Sequence, residues 1–436
     1  MNSNVLYSRS QAVVWHPCTQ MKLQATMPPL TVARGEGVWL YDPAGVRYLD
    51  AISSWWVNLF GHANPRINAA LINQLQQIEH VMLAGCTHEP VVNLSEQLVQ
   101  LSGLAHVFYA SDGASATEIA LKMSFHTWHN HGKTQKTGFI SIKQGYHGET
   151  LGALSVTDVA VFKDVYAPLL RHSVQVMSPD WRLAEVGESA EDYALRAAAD
   201  LDETLQRIHT QVAALIIEPL VQCAGGMAMH HPAYLRQVRQ LCDAYRIHMI
   251  ADEIAVGFGR TGSMFAYQQA GIVPDLLCLS KGITAGYLPL SAVLSSEAIY
   301  QAFYSDQTVH GFLHSHSYTG NPLACCAANA SLAIFAQDDV LNCNQRKAAR
   351  AEAITLTLRQ HSRVQHFRHL GMIWAFDVSH CDEQFAQRMH QAALARGVLL
   401  RPIGHTVYLM PPYVISDEEL EHLFAVTLAA LNDVIR

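Results

Sequence analysis

An acid and a lysine that follow two apolar segments of this sequence are of the right type for cofactor chemistry. Asp252 comes directly after the apolar residues 249–251, and Lys281 follows the apolar segment 276–279. Because the carboxyl ends of strands form the ligand crevice of open α/β sheets, both side chains would lie in that crevice. There the lysine could form a Schiff base with pyridoxal phosphate, and the carboxylate could keep the pyridinium nitrogen protonated. Taken alone, the pair is more typical of a helix cap and a solvated lysine.

Two glycine-containing segments could hold the phosphate and the ring of the same cofactor. Segment 111–115 (SDGAS) lies between a predicted strand and a predicted helix, where backbone amides and the helix dipole can bind phosphate. Its alternative role is an ordinary capped helix start. Segment 145–148 (GYHG) places Tyr146 in a loop from which its ring could stack on a flat cofactor. Together these segments favour a pyridoxal phosphate site.

A third glycine segment, 257–262 (GFGRTG), satisfies the G-x-G-x-x-G pattern and suggests a dinucleotide-dependent oxidoreductase as a competing hypothesis. The dinucleotide fingerprint needs a glycine turn that opens a helix directly after the first strand, with an acid about 20 residues later. Here Asp252 and Glu253 come before the glycines, in the middle of the chain. The context therefore argues against nicotinamide or flavin binding.

Alternating apolar and amphipathic segments predict the elements that position these residues. Strand-like runs alternate with helical patterns from 106 to 279, which is typical of a largely parallel sheet covered by helices. The residues 31–50 predict a hairpin or small sheet, and 67–82 a helix. After about 335 the pattern changes, and a capping box at Ser416 opens a final helix. We therefore predict an α/β domain over 61–334 and a smaller α+β domain formed by 1–60 and 335–436.

The composition of the 436-residue chain excludes several classes of protein. There are 37 acidic and 29 basic residues, and the net charge of −8 argues against a nucleic-acid-binding protein. No apolar run approaches the roughly 20 residues needed to span a bilayer, and the N-terminal residues lack the pattern of a signal peptide. The nine cysteines are odd in number and scattered, as expected for a protein of the reducing cytoplasm.

The 24 histidines raise the question of a metal site. They include the groups 126/129/131 and 310/314/316. His126 and His129 are three apart on a predicted helix and could converge, but no nearby carboxylate or cysteine completes a zinc shell for them. We expect no bound metal.

Five strings of this sequence together resemble the class III (ω-amino) aminotransferases, and the resemblance runs over nearly the whole chain. The strings are 15–21 (WHPCTQM), 53–56 (SSWW), 145–148 (GYHG), 251–262 (ADEIAVGFGRTG) and 408–412 (YLMPP). This resemblance implies the fold-type I architecture of pyridoxal-phosphate-dependent transferases, with a mainly parallel seven-stranded sheet. Within the family, the strings look most like the branch that converts 8-amino-7-oxononanoate to 7,8-diaminononanoate in biotin synthesis, with S-adenosylmethionine as amino donor in a ping-pong mechanism.

The resemblance also implies roles for individual residues. Lys281 would be the Schiff-base lysine, Asp252 the partner of the pyridine nitrogen and Tyr146 the residue that packs on the ring. In the family a hydroxyl of the neighbouring subunit reaches the phosphate, and Ser317 matches it, so a homodimer with a shared active site is expected. The remaining matches are Gly113, Ala114 and His316 for the cofactor, Trp55, Ser315, Arg401 and Cys18 for the substrates, and Glu218 and Arg260 near the cofactor.

Two departures from the family pattern leave the amino donor open. Cys18 stands where the family usually has a tyrosine that stacks on the adenine of the donor, and Ser315-His316 replaces the usual Gly-Pro. Some relatives use lysine as donor, and their string resembles 316–321 (HSYTGN). The Trp55-Trp56 pair and the 408–412 string favour S-adenosylmethionine, with lysine or another ω-amino donor as the alternative.

Overall fold

The computed structural model describes residues 3–435 and divides the chain into two compact units. The terminal unit contains the residues up to Asn68, Arg346–Phe367 and the residues from Ile373 onwards. The central unit contains Ala69–Gln345 and Arg368–Met372. The main boundaries between the units lie at 68/69 and 345/346, whereas the sequence predicts boundaries at 60/61 and 334/335.

The strands are numbered in chain order. They are β1 Arg34–Glu36, β2 Trp39–Tyr41, β3 Arg47–Asp50, β4 His106–Ala110, β5 Gly138–Ile142, β6 Val174–Val176, β7 Val212–Ile217, β8 Val221–Gln222, β9 Ala228–Met229, β10 His248–Asp252, β11 Leu276–Leu279, β12 Ser291–Ser295, β13 Val364–Leu370, β14 Ile373–Val378, β15 Val398–Leu399 and β16 Thr406–Leu409.

The α-helices are numbered in the same way. They are α1 Ser3–Val13, α2 Ser53–Trp56, α3 Pro65–Leu75, α4 Glu89–Ser102, α5 Gly113–Asn130, α6 Leu151–Val156, α7 Ala160–Lys163, α8 Ala190–Ile208, α9 Pro232–Tyr245, α10 Glu297–Gln301, α11 Pro322–Gln337, α12 Val340–Ile354, α13 Leu356–Arg359, α14 Phe385–Leu394 and α15 Asp417–Val434. Short 3-10 helices include Asp164–Leu169, Ala266–Ala270, Lys281–Thr284 and Thr308–His310.

The central unit is built on a seven-stranded sheet with the order β4-β12-β11-β10-β7-β5-β6. Strand β12 is antiparallel to both of its neighbours, and the other neighbouring strands are parallel. All strands except β12 therefore end at the same edge of the sheet. The apolar run of β7 is buried along its whole length, as expected for a strand covered on both faces. The predicted mainly parallel seven-stranded sheet is confirmed.

Helix α5 shows how this sheet is covered. The Asp112 side chain caps the helix by accepting a hydrogen bond from the amide of Ser115. The apolar side of the helix, including Ile119 and Met123, packs in the same buried cluster as Ile250 of β10. At about 25 cal/mol per Å² of apolar surface, such burial is the main stabilising term for the helix. The start of α5 is thereby held at the carboxyl edge of the sheet, directly after β4.

The terminal unit joins the two ends of the chain in one sheet. The parallel pair β3–β15 connects residues near 50 with residues near 398, in a sheet of order β1-β2-β3-β15. A second sheet has the order β13-β14-β16. The capping box that the sequence predicts for the last helix is confirmed, because Ser416 and Glu419 exchange side-chain and backbone hydrogen bonds at the start of α15.

One predicted element is shorter than its apolar pattern. The helix expected over 67–82 is α3, which ends at Leu75. The side chain of Gln74 donates to the carbonyl of Ile78 at 2.9 Å, and this contact caps the turn that leaves the helix.

Within the described residues, no helix combines the length and apolar character needed to cross a bilayer.

Candidate active site

Neighbouring parallel strands deliver charged side chains to one edge of the central sheet. Asp252 is the last residue of β10 and is paired in register with Cys278 of β11. Lys281 follows Cys278 by three residues, and Glu218 comes directly after β7, the other neighbour of β10. The structure thus brings together the acid and the lysine that the sequence predicts.

The Asp252 carboxylate is held by a buried histidine. The Nδ1 atom of His147 lies 2.7 Å from Oδ2, and the amide of Ile254 donates to Oδ1 at 3.1 Å. His147 and Asp252 are only 2% and 3% exposed, so the contact is shielded from water. Because the carboxylate is the acceptor, Nδ1 of the imidazole carries the hydrogen. Among the described residues, Nε2 of the same ring has no hydrogen-bond partner.

Glu218 fixes the loop that carries Tyr146. Its two carboxylate oxygens accept hydrogen bonds from the amides of Tyr146 at 2.9 Å and Cys223 at 3.0 Å. Burial raises the pKa of Glu218 to about 7, and the charge of Asp252 acts in the same direction while His147 opposes it. The Tyr146 hydroxyl donates to Glu149 at 2.9 Å, and its ring lies against Phe162 with centroids 5.3 Å apart.

Lys281 opens a short 3-10 helix and has a left-handed backbone conformation, with φ of 44°. Burial lowers the pKa of its amine, and the thiol of Cys223 and the carboxylates of Asp252 and Glu218 act in the opposite direction. A lysine whose pKa lies closer to neutrality can both give and take a proton under physiological conditions.

The predicted phosphate-binding turn stands at the start of α5. The amides of Gly113 and Ala114 belong to the first turn of the helix, where amides have no partner within the helix. The loop that carries Tyr146 approaches this turn closely at Gly148, which has a φ of 121°. A Cβ at Gly148 would lie 2.6 Å from the Cβ of Ala114, so only glycine permits the approach. The positive end of the helix dipole and two amides form a cradle for an anion.

The predicted cofactor and substrate residues of the 311–321 loop lie between a 3-10 helix and α11. Ser315 and Ser317 are exposed, and His316 is half-buried. Nε2 of His316 lies 3.2 Å from Nε2 of His314, whose Nδ1 contacts Nζ of Lys122 at 2.8 Å.

The predicted substrate residues of the terminal unit form a separate cluster. The Arg401 guanidinium carbon lies 4.8 Å from the ring centroid of Trp55. The same guanidinium donates a 2.9 Å hydrogen bond to the carbonyl oxygen of Cys18. The structure therefore brings Cys18, Trp55 and Arg401 together, although they are far apart in the sequence.

The segment 257–262 does not have the geometry of a dinucleotide site. It is a loop that opens no helix, and a dinucleotide fingerprint needs that helix for its phosphate. Arg260 is only 1% exposed, and its carbonyl accepts a hydrogen bond from the amide of Met372 at 2.8 Å. A Cβ on Gly371 would clash with the carbonyl oxygen of Arg260, so it is Gly371 that permits this segment to pack closely against 368–372.

Comparison with known proteins decides between the remaining hypotheses. The family described as Aminotransferase class-III matches residues 20–431, which is nearly the whole chain. This chain belongs to the class-III aminotransferases.

Individual enzymes of this family are similar to this chain over nearly its whole length. An adenosylmethionine-8-amino-7-oxononanoate aminotransferase from Helicobacter pylori is 44% identical over 428 residues, covering 97% of this chain and 96% of the relative. A protein of the same name from Geobacter sulfurreducens is 39% identical, covering 94% and 93%. The crystal structure of such an enzyme from Methanocaldococcus jannaschii has a TM-score of 0.93 at 33% identity, covering 99% of each chain. An ω-transaminase from Pseudomonas jessenii in complex with PMP has a TM-score of 0.94 at 27% identity, covering 98% of each.

Class-III aminotransferases depend on pyridoxal phosphate, and the chain is therefore a pyridoxal-phosphate-dependent transaminase. The residues at the sheet edge fit this cofactor. The cradle at Gly113 and Ala114 suits a phosphate, the buried Asp252 suits a protonated ring nitrogen, and Lys281 is an amine of lowered pKa. When bound, the cofactor supplies an electron sink for the carbon that exchanges its amino group.

Sequence reasoning missed the part played by His147. It lies in the 145–148 string, but the sequence drew attention there only to Tyr146. The contact of His147 with Asp252 joins residues 105 apart in the sequence. A polar side chain flanked by glycines beside a predicted cofactor residue was the available signal.

Proposed function

We propose that this chain transfers the amino group of S-adenosylmethionine to 8-amino-7-oxononanoate, giving 7,8-diaminononanoate for biotin synthesis. The observation that carries the proposal is the agreement among relatives. Eight relatives that each match at least 94% of this chain, at 32–44% identity, have the name adenosylmethionine-8-amino-7-oxononanoate aminotransferase.

In this proposal the residues of the central unit hold the cofactor and move one proton. The Nζ atom of Lys281 would hold the cofactor and would accept and release the proton of the substrate carbon, a task that its lowered pKa supports. Asp252, oriented by His147, would hold the pyridine nitrogen in its protonated form. The amides of Gly113 and Ala114 bind the phosphate, and Tyr146 packs beside the ring.

The residues of the terminal unit bind substrate. Arg401 pairs with the carboxylate of the keto substrate, because its planar guanidinium can donate two parallel hydrogen bonds. Trp55, which already stacks with Arg401, supplies an apolar wall. Cys18 leaves room where the family has a tyrosine. Ser315 and His316, which belong to the central unit, contact the amino donor.

We also propose a homodimer, in which Ser317 of each subunit reaches the phosphate bound by the other, and a cytoplasmic location. The exposed position of Ser317 supports the first proposal. All nine cysteines are free thiols, which supports a reducing compartment.

The function is tested by offering the holoenzyme 8-amino-7-oxononanoate together with S-adenosylmethionine, lysine or ornithine in separate reactions. Mass spectrometry of the product should show 7,8-diaminononanoate with S-adenosylmethionine. The Lys281→Ala variant is the control and should form none. Turnover with lysine alone would refute the donor assignment, and no turnover with any donor would refute the proposed function.

A further inference from the structure

The turn that carries Trp55 has an unusual backbone. Four successive residues that are not glycine, Ser53 to Trp56, have φ values of 50°, 47°, 71° and 74°. Because the Cβ atom of an L-residue crowds the following carbonyl in this left-handed conformation, it is disfavoured at every one of these positions. Helix α2 is therefore a single left-handed turn, and the surrounding structure must hold it in place.

A buried carboxylate holds the first half of the turn. Asp50, which is fully buried at the end of β3, accepts hydrogen bonds from the amide of Ser54 at 2.9 Å and from its hydroxyl at 2.8 Å. Oδ2 of Asp50 also lies 3.0 Å from Nε2 of His62. Asn58 contacts the other ring nitrogen of His62 at 3.2 Å. These contacts give Asp50 a fixed orientation and direct it at the backbone of the turn.

Two further contacts hold the ends of the turn. The Ser53 hydroxyl donates to the carbonyl of Met410 at 2.7 Å, and Nε1 of Trp56 donates to the Tyr408 hydroxyl at 3.1 Å. Trp56 is consequently only 5% exposed, whereas Trp55 is 41% exposed. The left-handed turn thus buries one tryptophan of the pair and presents the other on the surface of the unit.

The exposed tryptophan in turn supports the substrate arginine. The guanidinium of Arg401 stacks over the Trp55 ring and donates to the Cys18 carbonyl. Among the described residues, no carboxylate forms an ion pair with Arg401, so its charge is available to an acidic ligand. Moving the turn would displace both the apolar wall and the guanidinium.

We propose that Asp50 is a positioning residue for substrate recognition, because its bonds to Ser54 hold the left-handed turn that places Trp55 beneath Arg401. This inference rests on the proposed function, since it takes the Trp55–Arg401 pair as the recognition surface for the carboxylate of the keto substrate. Asp50 itself touches no substrate, and it acts through Ser54 and Trp55.

The test is a double-mutant cycle on the holoenzyme with Asp50→Asn and Trp55→Ala, measured as KM for 8-amino-7-oxononanoate and as kcat. We expect each single substitution to raise KM about tenfold with kcat changed by less than about threefold, the pattern of lost binding. Because both act on the same surface, KM of the double variant should lie within about twofold of that of Trp55→Ala. The absorption spectrum of the bound cofactor should be unchanged in all three variants.

Two further variants separate positioning from a general structural role. Asp42→Asn is the matched control, because Asp42 also accepts backbone hydrogen bonds, from Ala44 and Val46, but in a turn that does not lead to Trp55. Its KM should equal that of the wild type. Ser54→Ala removes only the hydroxyl contact and should raise KM by about two- to fivefold, even if Asp50→Asn does not fold.

If the increases in KM caused by Asp50→Asn and Trp55→Ala multiply in the double variant, the role of Asp50 is refuted while the proposed function stands. An unchanged KM in Ser54→Ala would have the same meaning. A wild-type enzyme that does not convert 8-amino-7-oxononanoate would overturn the proposed function and this inference with it. The two kinds of failure are therefore distinguishable in one set of assays.

Discussion

Gly148 offers a quantitative test of the phosphate cradle. A methyl group at this position would lie 2.6 Å from the Cβ and 2.9 Å from the Cα of Ala114, and 3.2 Å from the Cβ of Ala153. Contacts below 3.0 Å to backbone atoms cannot be relieved by rotating a side chain. The Gly148→Ala substitution should therefore push the first turn of α5 away from the phosphate that its amides bind.

The size of the effect follows from the hydrogen bonds at risk. A hydrogen bond to a charged group contributes about 1.5–3 kcal/mol, and 1.4 kcal/mol corresponds to a factor of ten in affinity. Losing one amide–phosphate bond should therefore weaken pyridoxal phosphate binding about 10- to 150-fold. Titration of the apoenzyme with the cofactor, followed by absorbance, measures this dissociation constant directly.

Gly132→Ala is the matched control. Gly132 lies just beyond the other end of α5 and has a φ of 72°, and a methyl group placed on it would meet no atom within 4 Å. This substitution should cost about 1–2 kcal/mol of folding stability through backbone strain and leave cofactor affinity unchanged. The proposed cradle is refuted if Gly148→Ala binds pyridoxal phosphate within about twofold of the wild type, or if both variants lose affinity equally.

Three further predictions concern stability and substrate binding. Burial lowers the pKa of His230 to about 4, so the unfolded chain takes up a proton below about pH 6.5 that the folded protein resists. Lowering the pH from 7 to 5 should therefore reduce the unfolding free energy of the wild type by about 2 kcal/mol more than that of His230→Gln, as measured by urea titrations. Equal reductions in the two proteins would contradict this prediction. Cys18→Tyr should lower KM for S-adenosylmethionine by about 2- to 12-fold through aromatic stacking, and an unchanged KM would show that the position does not contact the donor. Arg401→Lys should raise KM for 8-amino-7-oxononanoate about tenfold because an ammonium cannot donate the bidentate pair, and an unaltered KM would exclude carboxylate recognition by Arg401.

The parts of the fold that sequence predicts well are those with a strong local pattern. The strand β7 is apolar along its whole length, and parallel strands share one carboxyl edge, so Asp252 and Lys281 could be assigned to strand ends at that edge. The capping box at Ser416 was visible for the same reason, since its signal lies within four residues. Local patterns therefore predicted the sheet and its functional edge.

The remaining features depend on contacts between distant residues. The contact of His147 with Asp252 joins a loop to the end of β10, and neither segment alone predicts that these two residues pair. The left-handed turn of α2 contains no glycine, so its sequence lacks the usual mark of positive φ. The turn is held by hydrogen bonds to Asp50, Met410 and Tyr408, and all of them depend on tertiary packing. Such features follow from the assembled fold and not from spacing along the chain.

The attachment site of the cofactor tests the central claim most directly. Borohydride reduction of the holoenzyme fixes pyridoxal phosphate to its lysine, and peptide mass spectrometry then locates it. The structure offers one competing amine of lowered pKa among the described residues, Lys136, whose pKa falls to about 8 through burial. Lys136 donates to three backbone carbonyls, those of His209, Val212 and Arg246, as a structural lysine would. We predict the label on the peptide that contains Lys281 and on no other, and a label on Lys136 or any other lysine would contradict the proposed site.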